Sequence, residues 1–383
     1  MRVAVLGTRG FPGVQGGVEA HCENLYPRLA AKGCEVIVFG RKPYMVEIRD
    51  SPHSGTVPVI FKGVKIIPLS CPKNKFLEAF WHTFKGTFAA KKMKPDILHI
   101  HAIGPTLFVP LARLLGLKVV MTHHGLDYER KKWGLFAKLI LRLGEILGCS
   151  FANEVITVSK VLADDIKKKY RRSVHVIPNG VIIPQLAQSE STLEKYGLIK
   201  DKYILAVGRF VPEKGFDNLI EAFQTTQGQS PKNGDSPFRW KLVIAGDADH
   251  EDAYSRQLKE KAKNTPNVVL TGFLSGQPLQ ELYSYAGLFV LPSYYEGLPI
   301  VLLEAMSYGL SCIVSDIPAN RNVELSSERY FNPGDVQGLA DKIKEFIAQP
   351  LSLEEQNKQV RMIAENYNWE VIAEKTVGVY KGL

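Results

Sequence analysis

Short β-rich runs alternate with longer amphipathic stretches along this chain, and the whole alternation occurs twice. RVAVLG, CEVIVFG, VKIIPL, DILHIH, KVVMTHH, EVITVS and VHVIPNG come first, each bounded by Gly, Pro or polar residues. Stretches with helical apolar spacing, such as 18–32 and 76–92, lie between them. Near-continuous apolar strands need cover on both faces, so this pattern predicts a parallel sheet flanked by crossover helices. The pattern restarts with YILAVGRF, WKLVIAGD, NVVLTGF, LFVLPS, SCIVSD and RYFNP. The expectation is an α/β protein of two doubly wound, Rossmann-like domains, 1–180 and 181–365. Their boundary falls in IPNGVIIPQ, where Pro and Gly punctuate the chain. A last segment, 366–383, has helical period and two aromatic anchors, Trp369 and Tyr380. The polar, Gly/Pro-rich insert at 225–237 reads as a surface loop.

A length of 383 residues suits two domains, and a hydrophobic content of 45% with 23% charged residues is that of a soluble globular protein. The five cysteines show no C-x-x-C spacing, which points to reduced thiols in a cytoplasmic protein rather than disulfides or a zinc site. Met1 runs straight into a strand-like segment, so no signal peptide is expected. No apolar run approaches the ~20 residues of a membrane span. The nearest, 134–152, is interrupted by Lys138, Arg142 and Glu145 at helical spacing and reads as an amphipathic helix. The net charge of +9 is uneven. Residues 1–180 carry about +15 and the remainder about −6. A basic half can attract nucleic acid, an anionic membrane or a phosphorylated substrate, or be a solvated lysine-rich surface.

Ligands of open parallel sheets bind beyond the carboxyl ends of the strands, which here carry GTRGFPGVQGG, THHGLD, GRFVPEKG and YYEGLP. In VGRFVPEKG, Arg209 and Lys214 follow a buried strand and precede a helix, a pairing suited to a diphosphate. In YYEGLPIVLLEAMSYG, Glu296 and Glu304 frame an apolar run. Pro299 is favoured in the first turn of a helix, which places Glu296, Gly297 and Leu298 in the preceding loop. Gly297 admits a close approach to the backbone, and Glu304 lies just over a turn inside the helix. Acids this near an anion site suit hydroxyl groups better than phosphate. The pair could also be catalytic, or two solvated acids of one helix.

The E-x7-E pair, the R-x4-K of GRFVPEKG, IPNGV, GVQGGVEAHCENL and THHGLD stand in the order found in retaining glycosyltransferases of family 4, which this chain resembles from Met1 to its final helix. The resemblance implies a GT-B fold, with the two domains facing across a cleft and the last helix crossing back onto the first. It implies that Arg209 and Lys214 grip the donor diphosphate, that Glu304 binds the ribose, and that Glu296 with Gly297, Leu298 and Pro299 holds the donor sugar. Gly16 and Gly17 would lie near phosphate and acceptor, His124 rather than its neighbour His123 would face the sugar, and Gly272, Phe273 and Leu274 would border the base. The implied reaction is transfer of a hexose-type sugar from a UDP- or GDP-sugar, UDP favoured, to a hydroxyl of a glycan, lipid-linked or small acceptor. Configuration is retained by front-face displacement, with no metal and no cofactor.

GDAD (246–249) holds an Asp-x-Asp that resembles the metal site of the other glycosyltransferase fold. GT-B sugar-nucleotide epimerases and phosphorylases share the implied fold, though no cofactor lysine for a phosphorylase is evident. An NAD(P)-dependent oxidoreductase would account for Gly7, Gly10 and Gly13, for Arg41 and Lys42 after the second strand, and for Tyr-x-x-x-Lys at Tyr128/Lys132 and Tyr196/Lys200, but leaves the second half unexplained. No nucleic-acid reader motif is present. Phe76, Phe80, Phe84 and Phe88 recur at i, i+4 among lysines. They predict either packing on the sheet or an interfacial helix for peripheral contact with an anionic membrane.

Overall fold

The β-rich runs of the first half all form strands. In chain order these are β1 (Arg2–Leu6), α1 (Gly17–Ala31), β2 (Glu35–Arg41), β3 (Val59–Phe61), β4 (Val64–Leu69), α2 (Glu78–Lys92), β5 (Ile97–His101), α3 (Val109–Leu114), β6 (Val119–His123), α4 (Leu135–Phe151), β7 (Glu154–Thr157), α5 (Lys160–Tyr170) and β8 (His175–Val176). The computed structural model describes residues 1–45, 59–72, 74, 77–129, 134–227 and 240–383. Phe76, Lys132 and residues 228–237 of the polar insert lie outside them. Among the described residues the first sheet has the order β3-β4-β2-β1-β5-β6-β7-β8. Its pairs are parallel apart from the β3–β4 hairpin. β3 was not anticipated, because three residues are too few to show a period.

Alternation along β1 sends Val3 and Val5 to one face and Ala4 and Leu6 to the other. The first face is covered by Leu25, Tyr26 and Leu29 of α1, and the second by Ala90, Val109 and Cys149 of the helices opposite. Helix α2 does not bury its phenylalanines on the sheet. Its buried stripe is Thr83, Gly86, Thr87 and Ala90, and Gly86 is pressed so close that a Cβ would lie 2.3 Å from Leu6 Cδ2. Phe80 and Phe84 pack instead edge-on or tilted against Phe108, and Phe80, Trp81 and Phe88 remain exposed.

The second half is built alike, from α6 (Ser191–Tyr196), β9 (Tyr203–Val207), α7 (Phe216–Gln227), β10 (Lys241–Ala245), α8 (Ala253–Lys263), β11 (Val268–Gly272), α9 (Gln277–Tyr285), β12 (Leu288–Leu291), α10 (Ile300–Ser307), β13 (Cys312–Ser315), β14 (Tyr330–Phe331), α11 (Val336–Ala348) and α12 (Leu353–Asn366). Its sheet, β11-β10-β9-β12-β13-β14, is parallel throughout. Both sheets reverse direction beside their first strand, between β1 and β5 and between β9 and β12. Such switch points open a crevice at the carboxyl ends of the strands.

The chain divides into two units, Met1–Gly180 with Trp369–Leu383, and Val181–Asn368. The last helix, α13 (Trp369–Lys381), therefore belongs with the first sheet. Trp369, Ile372, Ala373 and Tyr380 complete the core under α1. Gly180 lets the Trp369 ring lie against the backbone, since a Cβ there would stand 2.5 Å from the ring.

Candidate active site

At the second switch point, the loops after β9 and β12 bring two charged side chains into contact. Lys214 closes a short turn, and Gly215 follows it with φ 64. A Cβ on Gly215 would fall 2.4 Å from the Pro292 carbonyl oxygen, so only glycine fits where the two loops touch. Tyr294 N–H donates to the Glu213 carbonyl at 2.9 Å and ties the loops together. Lys214 Nζ then lies 2.6 Å from Glu296 Oε1, which also accepts from Ser293 Oγ at 2.6 Å. Arg209, on the same loop as Lys214, reaches the other way to Asp249 Oδ2 at 2.8 Å.

The same contact involves the Asp-x-Asp of GDAD. Asp249 faces Arg209, and Asp247 Oδ1 lies 2.9 Å from Lys259 Nζ, so each carboxylate already meets a cation.

Helix α10 begins next to Pro299, as expected from the sequence. Pro299 is its N-cap, with φ −75 and ψ 104, rather than its first helical residue. The ring fixes φ alone, and φ near −65° suits both positions. Glu296 and Gly297 are half-buried in the preceding loop, and Leu298 is buried beneath it. Within the helix Leu302 and Leu303 are buried, whereas Ile300 and Val301 are half-buried. Glu304 accepts a hydrogen bond from Tyr283 OH at 3.0 Å, and Tyr283 stacks on Tyr308 with ring centroids 5.3 Å apart. Desolvation beside these rings pushes its carboxyl up to about 7 against the lowering effect of the Tyr283 bond, although part of the residue still reaches solvent. Gly272 and Leu274 flank Phe273, which is 43% exposed where edge strand β11 ends.

At the first switch point the glycine loop after β1 is held by a buried ion pair. Arg9 donates from its backbone N–H and its Nε to Glu19 Oε1, both at 3.1 Å. Gly16, at φ 150, is the N-cap of α1. A Cβ there would meet Glu19 and Arg9 at 2.1 and 2.6 Å, while one on Gly17 would meet nothing within 4 Å. Arg9 and Glu19 were not singled out as a pair, because each is an unremarkable charge until the loop folds.

The two histidines of THHGLD diverge. His123 is fully buried, with Nε2 3.6 Å from Glu145 Oε1, while His124 keeps partial exposure. His124 Nε2 meets His101 Nδ1 at 2.9 Å. Behind it lies a cluster that sequence reading missed: His21, His99, His101, Tyr26 and Tyr380, all buried. A signal was there, because His99 and His101 in ILHIH share one face of a strand by period two, and their rings stack at 4.3 Å. Burial drives His21 to about 4, His99 to about 3, and His101 and His124 well below the ordinary 6.5, so all four are neutral near pH 7. One nitrogen each of His21, His101 and His124 lie within 4.8 Å of one another, close enough to consider a metal ion. The 2.9 Å contact between His101 and His124 is equally well made by a shared proton.

Two of the groups invoked for an oxidoreductase are otherwise engaged. Arg41 is buried in an ion pair with Glu78 at 2.9 Å. Lys200 pairs with Glu190 at 2.7 Å and lies over the Tyr285 ring.

Two family models match the chain, Glycosyltransferase Family 4 over residues 15–183 and Glycosyl transferases group 1 over residues 189–369. The chain belongs to the family 4 glycosyltransferases. It is 28% identical to an uncharacterized glycosyltransferase of Methanocaldococcus jannaschii, over 100% of this chain and 98% of that one. It is 29% identical to the UDP-Gal:alpha-D-GlcNAc-diphosphoundecaprenol alpha-1,3-galactosyltransferase of Escherichia coli, over 71% of this chain and 68% of that one. The structure of Anabaena HepE in complex with UDP-glucose superposes with a TM-score of 0.77 at 17% identity, covering both chains completely. The fold is GT-B, and the chain is a glycosyltransferase; the epimerase and oxidoreductase readings are not favoured.

Proposed function

We propose that this chain transfers a hexose from a UDP-sugar to an acceptor hydroxyl with retention of configuration. The observation that carries this reading is the Lys214–Glu296 contact of 2.6 Å across the second switch point, flanked by Arg209. It puts a diphosphate-binding cation and a hydroxyl-binding acid side by side, as a sugar esterified to a diphosphate requires. On donor binding, Lys214 and Arg209 neutralise the diphosphate, and Glu296 accepts from sugar hydroxyls while the Gly297–Pro299 backbone approaches the sugar. Glu304 accepts from the ribose, and Gly272, Phe273 and Leu274 border the base. In the first unit, Gly16, Gly17 and His124 serve the phosphate, the acceptor and the sugar. The UDP of the donor is supported by the HepE complex and by the UDP-galactose enzyme among the relatives.

In the transfer, the bond from the anomeric carbon to the β-phosphate oxygen breaks. A bond to the acceptor oxygen forms on the same face, and the hydroxyl proton passes to the departing phosphate. The protein supplies position and charge stabilisation of the leaving group rather than a dedicated base. We read the step as metal-independent, because Arg209 and Lys214 carry the positive charge and both Asp-x-Asp carboxylates face cations. Proton NMR of the sugar released from UDP-hexoses tests this. The α-anomer should appear first from an α-linked donor, and β-anomer as the initial product would refute retention.

A second element of the proposal is peripheral contact with an anionic membrane from the cytoplasmic side, which would bring a lipid-linked acceptor within reach. Among the described residues no helix is long and apolar enough to cross a membrane. The face that suits contact belongs to α4, where Leu135, Phe136, Leu139, Leu143 and Ile146 are 90, 76, 64, 44 and 45% exposed beside Lys138 and Arg142.

A further inference from the structure

Three histidines from three places in the chain converge beside the glycine loop. His21 lies on α1, His101 ends β5, and His124 follows β6. One ring nitrogen of each lies within 4.8 Å of those of the other two. The His21 ring stands edge-on to both partners, with centroids 4.9 Å from His124 and 5.4 Å from His101. All three residues lie in the unit formed by 1–180 and 369–383.

A proton shared between His101 and His124 accounts for their contact but leaves His21 unexplained. Asn179 Oδ1 lies 2.9 Å from His21 Nδ1. A carboxamide oxygen only accepts, so His21 carries its proton on Nδ1 and a bare lone pair on Nε2. His21 is 3% exposed, and among the described residues its Nε2 has no hydrogen-bond partner. A buried acceptor without a partner is costly, and an ion that takes the lone pair removes the cost. Three imidazoles are a ligand set for Zn²⁺ and its first-row neighbours. The outer contacts also suit a metal: Asn179 backs His21, and the Tyr26 hydroxyl backs His101 Nε2. That hydroxyl can donate or accept, so it allows His101 to offer Nδ1. His124 is partly exposed, which gives an ion a way in and leaves room for water as fourth ligand. Tetrahedral Zn–N bonds of about 2.0–2.1 Å hold the nitrogens roughly 3.4 Å apart. His101 Nδ1 and His124 Nε2, now 2.9 Å apart, reach that spacing by a small rotation of the rings.

We propose that His21, His101 and His124 form a binding site for one divalent transition-metal ion of the zinc class, and that the bound ion inhibits the enzyme by occupying His124. The ion takes no part in the transfer. It holds the ring that would otherwise serve the donor sugar. The inhibition rests on the glycosyltransferase function proposed above; the binding site does not. The site also gives Asn179 of IPNGV a task, which is to hold the His21 ring with Nε2 turned to the ion.

The test is calorimetric titration of Zn²⁺ into the metal-free chain, together with the visible spectrum of added Co²⁺, which is strong in four-coordinate sites and weak in water. Wild type should bind one ion and give the four-coordinate cobalt bands. His21→Gln and His124→Gln should each weaken binding by more than the roughly 10–100-fold that loss of an outer partner costs, and Asn179→Ala by about that amount. Absence of the bands in wild type, or unchanged affinity in His124→Gln, overturns the site. Should His21→Gln fail to fold, Asn179→Ala reads the same ring, and unchanged affinity there overturns the site as well. Donor hydrolysis supplies the second readout: it should be lost as Zn²⁺ fills the site and return on chelation. Full hydrolysis by the loaded protein overturns the inhibition. If wild type binds the ion at these histidines but hydrolyses no nucleotide sugar when metal-free, the proposed function fails and the metal site stands.

Discussion

Glu304 ordinarily would titrate at 4.5, and burial pushes it up to about 7. Between these values the folded chain keeps a proton that the unfolded chain has released, so this residue makes stability fall as pH rises from 4.5 to 7. Glu304→Gln should flatten that slope. Thermal unfolding at pH 5 and pH 7.5 should differ less for the variant than for wild type, and an equal difference would exclude the buried acid as its source. Donor binding should run the other way: ribose hydroxyls donate best to the carboxylate, so affinity rises with pH through about 7 in wild type and not in Glu304→Gln. At this scale the candidate residues were legible in the sequence, but their partners were not. Arg209, Lys214, Glu296 and Glu304 stand out because their spacing is local. The contacts of Arg209 with Asp249, of Lys214 with Glu296 and of Glu304 with Tyr283 arose only through the fold, which joins residues 40, 82 and 21 positions apart.

Among the elements, α13 is held by apolar burial. Trp369 is 3% exposed, between Gly180 and the His21 ring, while its flanking pairs Arg28–Glu370 and Lys32–Glu374 are on the surface and screened by water. Trp369→Ala should cost about 3–5 kcal/mol, the usual price of truncating a buried aromatic. A loss below 1 kcal/mol in chemical denaturation would show that the helix is not anchored there. Helix α4 supports the opposite kind of prediction. Leu139→Ser with Leu143→Ser should leave folding and donor hydrolysis intact and reduce co-sedimentation with anionic vesicles, because both side chains face solvent. Undiminished sedimentation would move the contact elsewhere. The periodicity of α4 was legible as amphipathic, but which face meets solvent was not. In α2 the repeated phenylalanines suggested an interfacial stripe or sheet packing, and the close approach of Gly86 to Leu6 gave the sheet side to small residues instead. The start of α10 was legible to within a residue from Pro299, which restrains φ and leaves ψ, here 104, to the fold.

For the molecule as a whole, the two-fold alternation of strands and helices was the most readable feature, since parallel strands must be apolar on both faces and their crossovers must be amphipathic. Strand order was not readable from that alternation. It emerged in the structure as a reversal beside the first strand of each sheet, and each reversal carries a cluster: Lys214–Glu296 in one unit, and His101–His124 beside the glycine loop in the other. The histidine cluster was hidden because its members come from four separate segments. The central claim is that the second unit grips a nucleoside diphosphate through Lys214, and calorimetric titration of UDP into wild type and Lys214→Ala tests it most directly. A charge-assisted hydrogen bond contributes about 1.5–3 kcal/mol, so the variant should bind UDP roughly 10- to 150-fold more weakly. Equal affinity in the two proteins, or no binding of UDP to wild type, would contradict the account.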